Sequence, residues 1–320
     1  MKDNLISVIM TAYNENTKEL TEAVNSILDQ TYPDLELIII LDDPTNTELE
    51  KNIEALAEVD QRIKFKVNDQ NMGLAQSLNR AIALSSGEYI ARMDADDISF
   101  PNRFADELEL IKERDYDVVT SSATFIDEEG KIVGSHDPIL TTPSRIDKLL
   151  PFGSNLVHSS AFFKGSVLRE FSYHNYPTAE DYDLWLRLIE HQKKIGGINS
   201  ELLKYRIRST SMTQSNKLKM FLTAQYLRDN FQNKSLDDFD LEKYHKYLSC
   251  HGYSDKLREE FSDAVNGFSK GLKDLRKFKF SGVKALTPLL QRKIYRDYFK
   301  NSYQYKKMYK KLIIIEHGLS

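Results

Sequence analysis

Leu37-Ile38-Ile39-Ile40-Leu41 is apolar at every position and stops abruptly at Asp42-Asp43-Pro44. A strand with one wet face would alternate, so this run fits a strand covered on both faces, as in a parallel sheet wrapped by helices. Its neighbours agree. Ile6-Ser7-Val8-Ile9-Met10 reads as a first strand, Ile63 to Val67 as a third, and Tyr89-Ile90-Ala91-Arg92-Met93 as the next. Leu20, Val24, Ile27 and Leu28 recur at helical spacing between the turn residues Asn14 to Thr17 and the stop at Pro33. Leu74, Leu78, Ile82 and Ala83 repeat that pattern between Gly73 and Gly87. Alternating strands and helices predict an α/β fold with a mainly parallel sheet flanked by helices. Ligands of such sheets gather at the carboxyl ends of the strands. Those ends carry Thr11-Ala12-Tyr13-Asn14, Asp42-Asp43 and Asp94-Ala95-Asp96-Asp97.

Past Pro101 a helix through Phe104, Leu108 and Ile111 leads to strand-like Val118-Val119 and Thr124 to Asp127. Glu128-Glu129-Gly130 then turns the chain into Lys131-Ile132-Val133 as a hairpin. Residues 140 to 175, rich in Ser, Pro and Gly, read as irregular loop of the kind that shapes sites. A helix beginning at Thr178-Ala179-Glu180-Asp181 is expected to bury Leu184, Trp185, Leu188 and Ile189. Beyond Met212 the pattern is helical and polar, which predicts a catalytic domain over 1–211 and a helical C-terminal region over 212–320.

A chain of 320 residues that is 41% hydrophobic can bury a core, which excludes a disordered or collagen-like polymer. Cys250 is the single cysteine, so neither an intrachain disulfide nor a thiolate zinc cluster is available, and a reducing cytoplasm is the expected location. No apolar run approaches the roughly 18 residues of a membrane span, and Met1 to Thr11 makes a poor secretory signal. The net charge of -4 hides an asymmetry: Lys270 to Ser320 holds 14 Lys/Arg against Asp274, Asp297 and Glu316, leaving a +11 tail on a -15 body. Tyr295, Tyr298, Phe299, Tyr305, Tyr309 and Leu312 are interleaved with those cations at spacings compatible with one helical face. That face suits peripheral contact with an anionic membrane or docking on the catalytic domain. No recognised module supports nucleic acid as its partner.

Three carboxylates in Asp94-Ala95-Asp96-Asp97 repel one another unless a cation or donor offsets them. Mg2+ or Mn2+ is the usual remedy, completed by substrate phosphates. Asp42-Asp43 adds acid at a neighbouring strand end, and Tyr13 could stack on a planar base.

At these residues the chain resembles the inverting family 2 glycosyltransferases of the GT-A fold. The resemblance is carried by Ser7 to Glu15, by Ile38 to Asp43, by Asn71-Met72-Gly73-Leu74-Ala75, by Ser86 to Asp97, and by Ala179-Glu180-Asp181-Tyr182-Asp183-Leu184-Trp185-Leu186-Arg187. It implies that Thr11, Ala12 and Tyr13 with Asp42 or Asp43 hold the nucleoside of a UDP-sugar, alongside Asn71, Gly73, Arg92 and Ala95. It implies that Asp94 faces the ribose, that Asp96 meets the metal with Asp94 as a second candidate ligand, and that Asp181 is the base. His158, Glu180 and Arg208 fall on the acceptor or phosphate side. Arg208 stands where such relatives often have histidine; it cannot ligate a cation, but its charge could offset phosphates. Pro44-Thr45 replaces a common Gly-Ser. The Gln-x-x-Arg-Trp sequence of processive synthases is absent, so one sugar per encounter is expected. The acceptor implied is a glycan, lipid-linked in many relatives, in surface polysaccharide synthesis.

Two readings of Glu180-Asp181 stay open here, a catalytic base and an acidic cap in which Thr178 and Asp181 pair across a helix start. Two other functions compete with the transferase. A sugar-nucleotidyltransferase would need a Gly-rich phosphate loop, and Thr11 to Thr17 contains no glycine. A non-catalytic nucleotide- or glycan-binding module would keep the sheet without needing Asp181. His158 beside a strand and Trp185 on an apolar stripe also have plain structural readings.

Overall fold

The computed structural model describes residues 2–208, 216–276 and 292–317. They fall into two compact units, one formed by 1–150 with 154–208 and the other by 151–153 with 209–320. The boundary expected after residue 211 lies within 209–215, outside the described residues.

In the first unit strands and helices alternate, with α2 added to the elements expected: β1 (Lys2–Ala12), α1 (Thr17–Leu28), β2 (Leu35–Leu41), α2 (Thr47–Val59), β3 (Ile63–Val67), α3 (Leu74–Leu84) and β4 (Gly87–Asp94). β3, β2, β1 and β4 lie side by side in that order, all parallel. Every residue of β2 is buried. Leu37, Ile39 and Leu41 join Leu20, Val24 and Ile27 of α1 and Leu49 and Ile53 of α2 in one core, and Ile38 and Ile40 are wholly buried as well. Both faces of the strand are therefore covered, the condition that lets an alternation-free sequence remain a strand.

Glu36 is the polar exception in β2, and it is buried. Burial alone would raise its carboxyl, but Lys64, Ser7 and Ser86 outweigh that and hold it below the usual range. Ser7 Oγ donates to it at 2.6 Å and in turn accepts from Gly87 N at 2.8 Å, which clamps the amino ends of β1, β2 and β4. A Cβ on Gly87 would stand 2.5 Å from the Leu5 carbonyl oxygen, so this crossing requires glycine.

The sheet continues through β5 (Ile98–Ser99), α4 (Arg103–Glu113), β6 (Val118–Ile126), β7 (Ile132–Ser135), α5 (Pro143–Leu149), β8 (Phe162–Lys164), α6 (Gly165–Phe171), α7 (Glu180–Glu190) and β9 (Ile195–Arg206). Beyond β4 the order is β8, β6, β9, β5, and β7 pairs with β6 as the expected hairpin. The segment 140–175 is not the irregular loop its composition suggests. It contains two helices, two short 3-10 turns and β8, which pairs antiparallel with both β4 and β6. β8 is the strand expected beside His158, and its two neighbours hold Phe162 and Phe163 in it. β9 escapes sequence reading, because Gly196-Gly197 and Asn199-Ser200-Glu201 break its pattern; it runs parallel to β6 with register shifts at Ser121 and Ser122.

The second unit consists of α8 (Lys217–Gln232), α9 (Leu241–Cys250), α10 (Asp255–Arg276) and α11 (Lys293–His317). Phe221 of α8 stacks on Phe261 of α10 at 5.9 Å, and Tyr298 of α11 meets both edge-on. Tyr295 stacks on Phe261 at 5.8 Å, and Leu312 is buried. Much of the aromatic stripe of the tail is thus engaged in packing within this unit, although Tyr303, Ile314 and Ile315 remain exposed. The parts of the basic tail at 277–291 and 318–320 lie outside the described residues. Among the described residues no helix is long and apolar enough to cross a membrane.

Candidate active site

Register brings the chemistry-bearing strand ends together. Thr11 pairs with Ile40 on one side and Asp94 on the other, and Ala12 pairs with Leu41, so the chain leaves β1, β2 and β4 at one level. Tyr13 projects with 45% of its surface exposed, while Ala12 and Ala95 are buried. Asp42 turns inward: it accepts from Asn68 Nδ2 at 2.6 Å and from the backbone N–H groups of Met72 and Gly73 at 2.8 Å each. It therefore fixes the loop entering α3. Asp43, half-buried, accepts from the Thr45 N–H and hydroxyl, which lower its carboxyl. Gly73, at φ +82°, opens α3 without a side-chain cap, and the exposed Asn71 accepts from its N–H at 3.1 Å. A glycine suits that left-handed backbone.

Beyond β4 the acids are packed among arginines. Arg92, nearly fully buried, forms a two-pronged ion pair with Asp94. Asp97 is buried and accepts from the Arg206 N–H at 2.8 Å. Asp96 lies 2.8 Å from Arg208 Nε, and the same guanidinium donates to Glu19 at 2.6 Å. Arg206, 1% exposed, reaches Glu22 at 3.2 Å and the Asp96 carbonyl at 2.8 Å. Burial, then the neighbouring Asp94, pushes Asp96 up to about 7. The same two causes raise Asp97 well above the ordinary carboxylate range, and burial raises Glu15.

This donor set is compatible with one divalent cation. Glu15, Glu19, Glu22, Asp94, Asp96 and Asp97 give six carboxyl groups against the guanidinium groups of Arg92, Arg206 and Arg208, an excess of three negative charges when all are ionised. Among the described residues no three metal-type side chains close a cation site by themselves. A cation here would take phosphate oxygens and water to complete its shell, the usual habit of Mg2+.

The start of α7 lies within electrostatic reach of Arg92 and Asp94. Its N-cap is Ala179, in the left-handed region at φ +61°, whose side chain makes no cap hydrogen bond, and Glu180, Asp181 and Asp183 place acid in the first turn. Asp181 accepts from the Tyr182 N–H at 2.7 Å. Glu180 is buried; burial first and Asp181 second push it up to about 8. Asp181 is raised by burial, with the Tyr182 N–H and Arg92 opposing and Asp94 adding. Arg92 and Asp94 thus act on both acids of α7, which places these four groups in one electrostatic neighbourhood. Asp183 pairs within the helix with Arg187 at 2.9 Å and lies 3.1 Å from His174, and Arg187 ties α7 to the Phe171 and Ser172 carbonyls at 2.6 and 2.7 Å. His158 Nε2 lies 2.8 Å from the Tyr173 hydroxyl, and its ring is edge-on to Trp185; burial, then Arg92, keeps it well below its ordinary value and hence neutral. Trp185 is fully buried.

The sequence profile of Glycosyl transferase family 2 matches residues 7–172, more than half of the chain and most of this site. The chain belongs to that family. It is 33% identical over 248 residues to the O-antigen biosynthesis glycosyltransferase WbnJ of Escherichia coli, covering 76% of this chain and 95% of that one. It is 30% identical over 224 residues to the UDP-Glc:alpha-D-GlcNAc-diphosphoundecaprenol beta-1,3-glucosyltransferase WfgD of Escherichia coli, covering 68% of this chain and 83% of that one. Among solved structures it is similar to S. aureus TarS 1-349 in complex with UDP-GlcNAc, with a TM-score of 0.57 at 20% identity over 90% of this chain and 81% of that one. The protein is a glycosyltransferase, and its first unit has the mixed sheet of the GT-A fold.

Sequence reading of this glycosyltransferase missed the second layer of the site. Glu19 lies in the first turn of α1, where acids are ordinary, and nothing local links it to Arg208, 189 residues away. Asn68 is buried between Asp42 and Ser77, and Arg80 donates to it. Tyr173 exchanges backbone hydrogen bonds with the Asn79 side chain at 2.8 Å each way, which holds the partner of His158. Arg206 carried one available signal, its i, i+2 relation to Arg208.

Proposed function

We propose that this glycosyltransferase moves one sugar from a UDP-sugar to a hydroxyl of a lipid-linked glycan, with inversion, during construction of a surface polysaccharide. The observation that carries this reading is the convergence of two acid groups of different character. Asp94 and Asp96 sit among arginines at the strand ends, and Asp181, largely buried with a raised pKa, opens α7 within their electrostatic reach. One set suits a diphosphate and the other suits an acceptor hydroxyl.

In the proposed reaction the exposed Tyr13 ring stacks on uracil while Thr11, Ala12 and Asp43 border the nucleoside. Asp42, engaged by Asn68, Met72 and Gly73, holds the adjoining loop that includes Asn71. Arg92 keeps Asp94 aimed at the ribose. Mn2+ or Mg2+, held by Asp96 with Asp94 alongside, would stabilise the charge of the departing diphosphate. Asp181 accepts the proton of the acceptor hydroxyl as that oxygen bonds to the anomeric carbon and the bond to the diphosphate breaks on the opposite face. Neutral His158 and the protonated form of Glu180 line the acceptor side as hydrogen-bonding groups.

The names of WbnJ and WfgD support the polysaccharide setting and, for WfgD, a diphosphoundecaprenol acceptor. Such an acceptor places the enzyme at the cytoplasmic face of a membrane, with the cations of the C-terminal region toward anionic headgroups. The two-unit organisation then divides the work, with donor chemistry in the sheet and attachment in the helices. The deciding experiment is a UDP-sugar screen with purified protein, Mn2+ and glycosyl-diphospholipid acceptors, read as release of UDP. UDP binding without turnover over a broad donor and acceptor set would favour a binding module instead.

A further inference from the structure

Arg208 is held unequally by its two acids. Its terminal nitrogen donates to Glu19 Oε2 at 2.6 Å, a well-formed charge-assisted hydrogen bond to a buried carboxylate. Its Nε lies 2.8 Å from Asp96 Oδ2, yet makes no hydrogen bond, so that contact is Coulombic without alignment. Glu19 is itself steadied by the neighbouring guanidinium of Arg206, 3.8 Å away on its other oxygen. Arg208 and Asp96 each keep about a fifth of their side-chain surface exposed, whereas Glu19 and Arg206 are nearly dry. The firm contact is thus buried, and the loose one faces the open end of the site.

Resting on the diphosphate site proposed above, we propose that Arg208 is a resident cation that pivots on Glu19. With the site empty it neutralises Asp96. When Mn2+ and UDP bind, it leaves Asp96 to the metal and turns its fork to the phosphate oxygens. Two consequences follow from having one guanidinium serve two anions in turn. Arg208 competes with metal for Asp96 when no nucleotide is present, and it adds affinity for the diphosphate once metal is bound. Free metal is then held weakly, and nucleotide and metal bind cooperatively. A lysine cannot replace it fully, since a point charge lacks the planar fork that can hold Glu19 and a phosphate together.

The test compares the full chain with Arg208→Met, Arg208→Lys and Glu19→Gln, using Mn2+ alone followed by electron paramagnetic resonance and UDP in saturating Mn2+ followed by calorimetry. Arg208→Met is expected to bind Mn2+ alone up to about fivefold more tightly than wild type, the scale of removing a partly exposed ion pair. It should bind UDP at least about tenfold more weakly, for loss of a charge-assisted contact. Arg208→Lys should keep near-wild-type Mn2+ affinity yet lose UDP affinity, and Glu19→Gln should weaken UDP binding by loosening the pivot. Unchanged or weaker Mn2+ binding by a folded Arg208→Met protein would overturn the competition. Unchanged UDP affinity in both Arg208 variants would overturn the transfer to phosphate. If Arg208→Met does not fold, Arg208→Lys decides alone through its UDP affinity. A wild-type protein that binds Mn2+ but no UDP would refute the proposed function itself and the phosphate half of this proposal with it.

Discussion

Asp181→Asn separates a catalytic acid from a structural one. Asparagine keeps an Oδ1 that can accept from the Tyr182 N–H, now 2.7 Å away, so the local hydrogen bond survives. It removes the charge that, after burial, does most to raise Glu180. Folding stability should therefore hold or rise slightly. Turnover should fall by about 10²–10⁴, the range for a lost general base, or about 2.7–5.5 kcal/mol of barrier at 1.36 kcal/mol per tenfold. The pH profile adds a second signature. Asp181 works ionised and its pKa is raised, so wild-type kcat/KM should climb with pH through a value above the 3.8 of a free aspartate. The variant should lose that acidic limb. The assay is UDP release against pH, with thermal melts on both proteins. A variant that keeps its rate while losing about 1 kcal/mol of stability, as for a missing cap, would refute the assignment.

Three further outcomes are expected. Asp96→Asn should lose Mn2+-dependent UDP binding and most turnover while melting normally; an unchanged metal dependence in calorimetry counts against Asp96 as the ligand. Glu180 at about 8 and Asp96 at about 7 hold protons in the fold that the unfolded chain releases near 4, so their contribution to stability is full below about pH 4 and is lost as pH rises to about 8. Melts of the metal-free protein across that range should show Glu180→Gln and Asp96→Asn each flattening the alkaline decline. Tyr298→Ala, which removes a partly buried ring edge-on to Phe221 and Phe261, should destabilise the helical unit by about 1–2 kcal/mol; a vesicle-binding defect in a protein that melts normally would instead assign that ring to the membrane.

What the sequence determined by itself is the frame of the site. Uninterrupted apolarity in β2 requires cover on both faces, and acids follow β2 and β4 abruptly, at the carboxyl ends where ligands of such sheets gather. Both are local properties, set by hydrophobicity over a few residues. Where a pattern was too broken and too polar, as in β9, strand character came only from pairing with β6 and β5. The partners of the charges were likewise decided by tertiary structure. Asp42 and Asp43 are adjacent and chemically identical, yet packing turns the first inward onto Asn68 and the α3 loop and leaves the second at the rim. Arg208 was legible as a fixed positive charge, but its engagement with both Asp96 and Glu19 depends on β9 running beside β6 and on the first turn of α1 bringing Glu19 to it. A buried charge takes whatever counter-charge the fold desolvates beside it, and that choice is made by residues far apart in the chain.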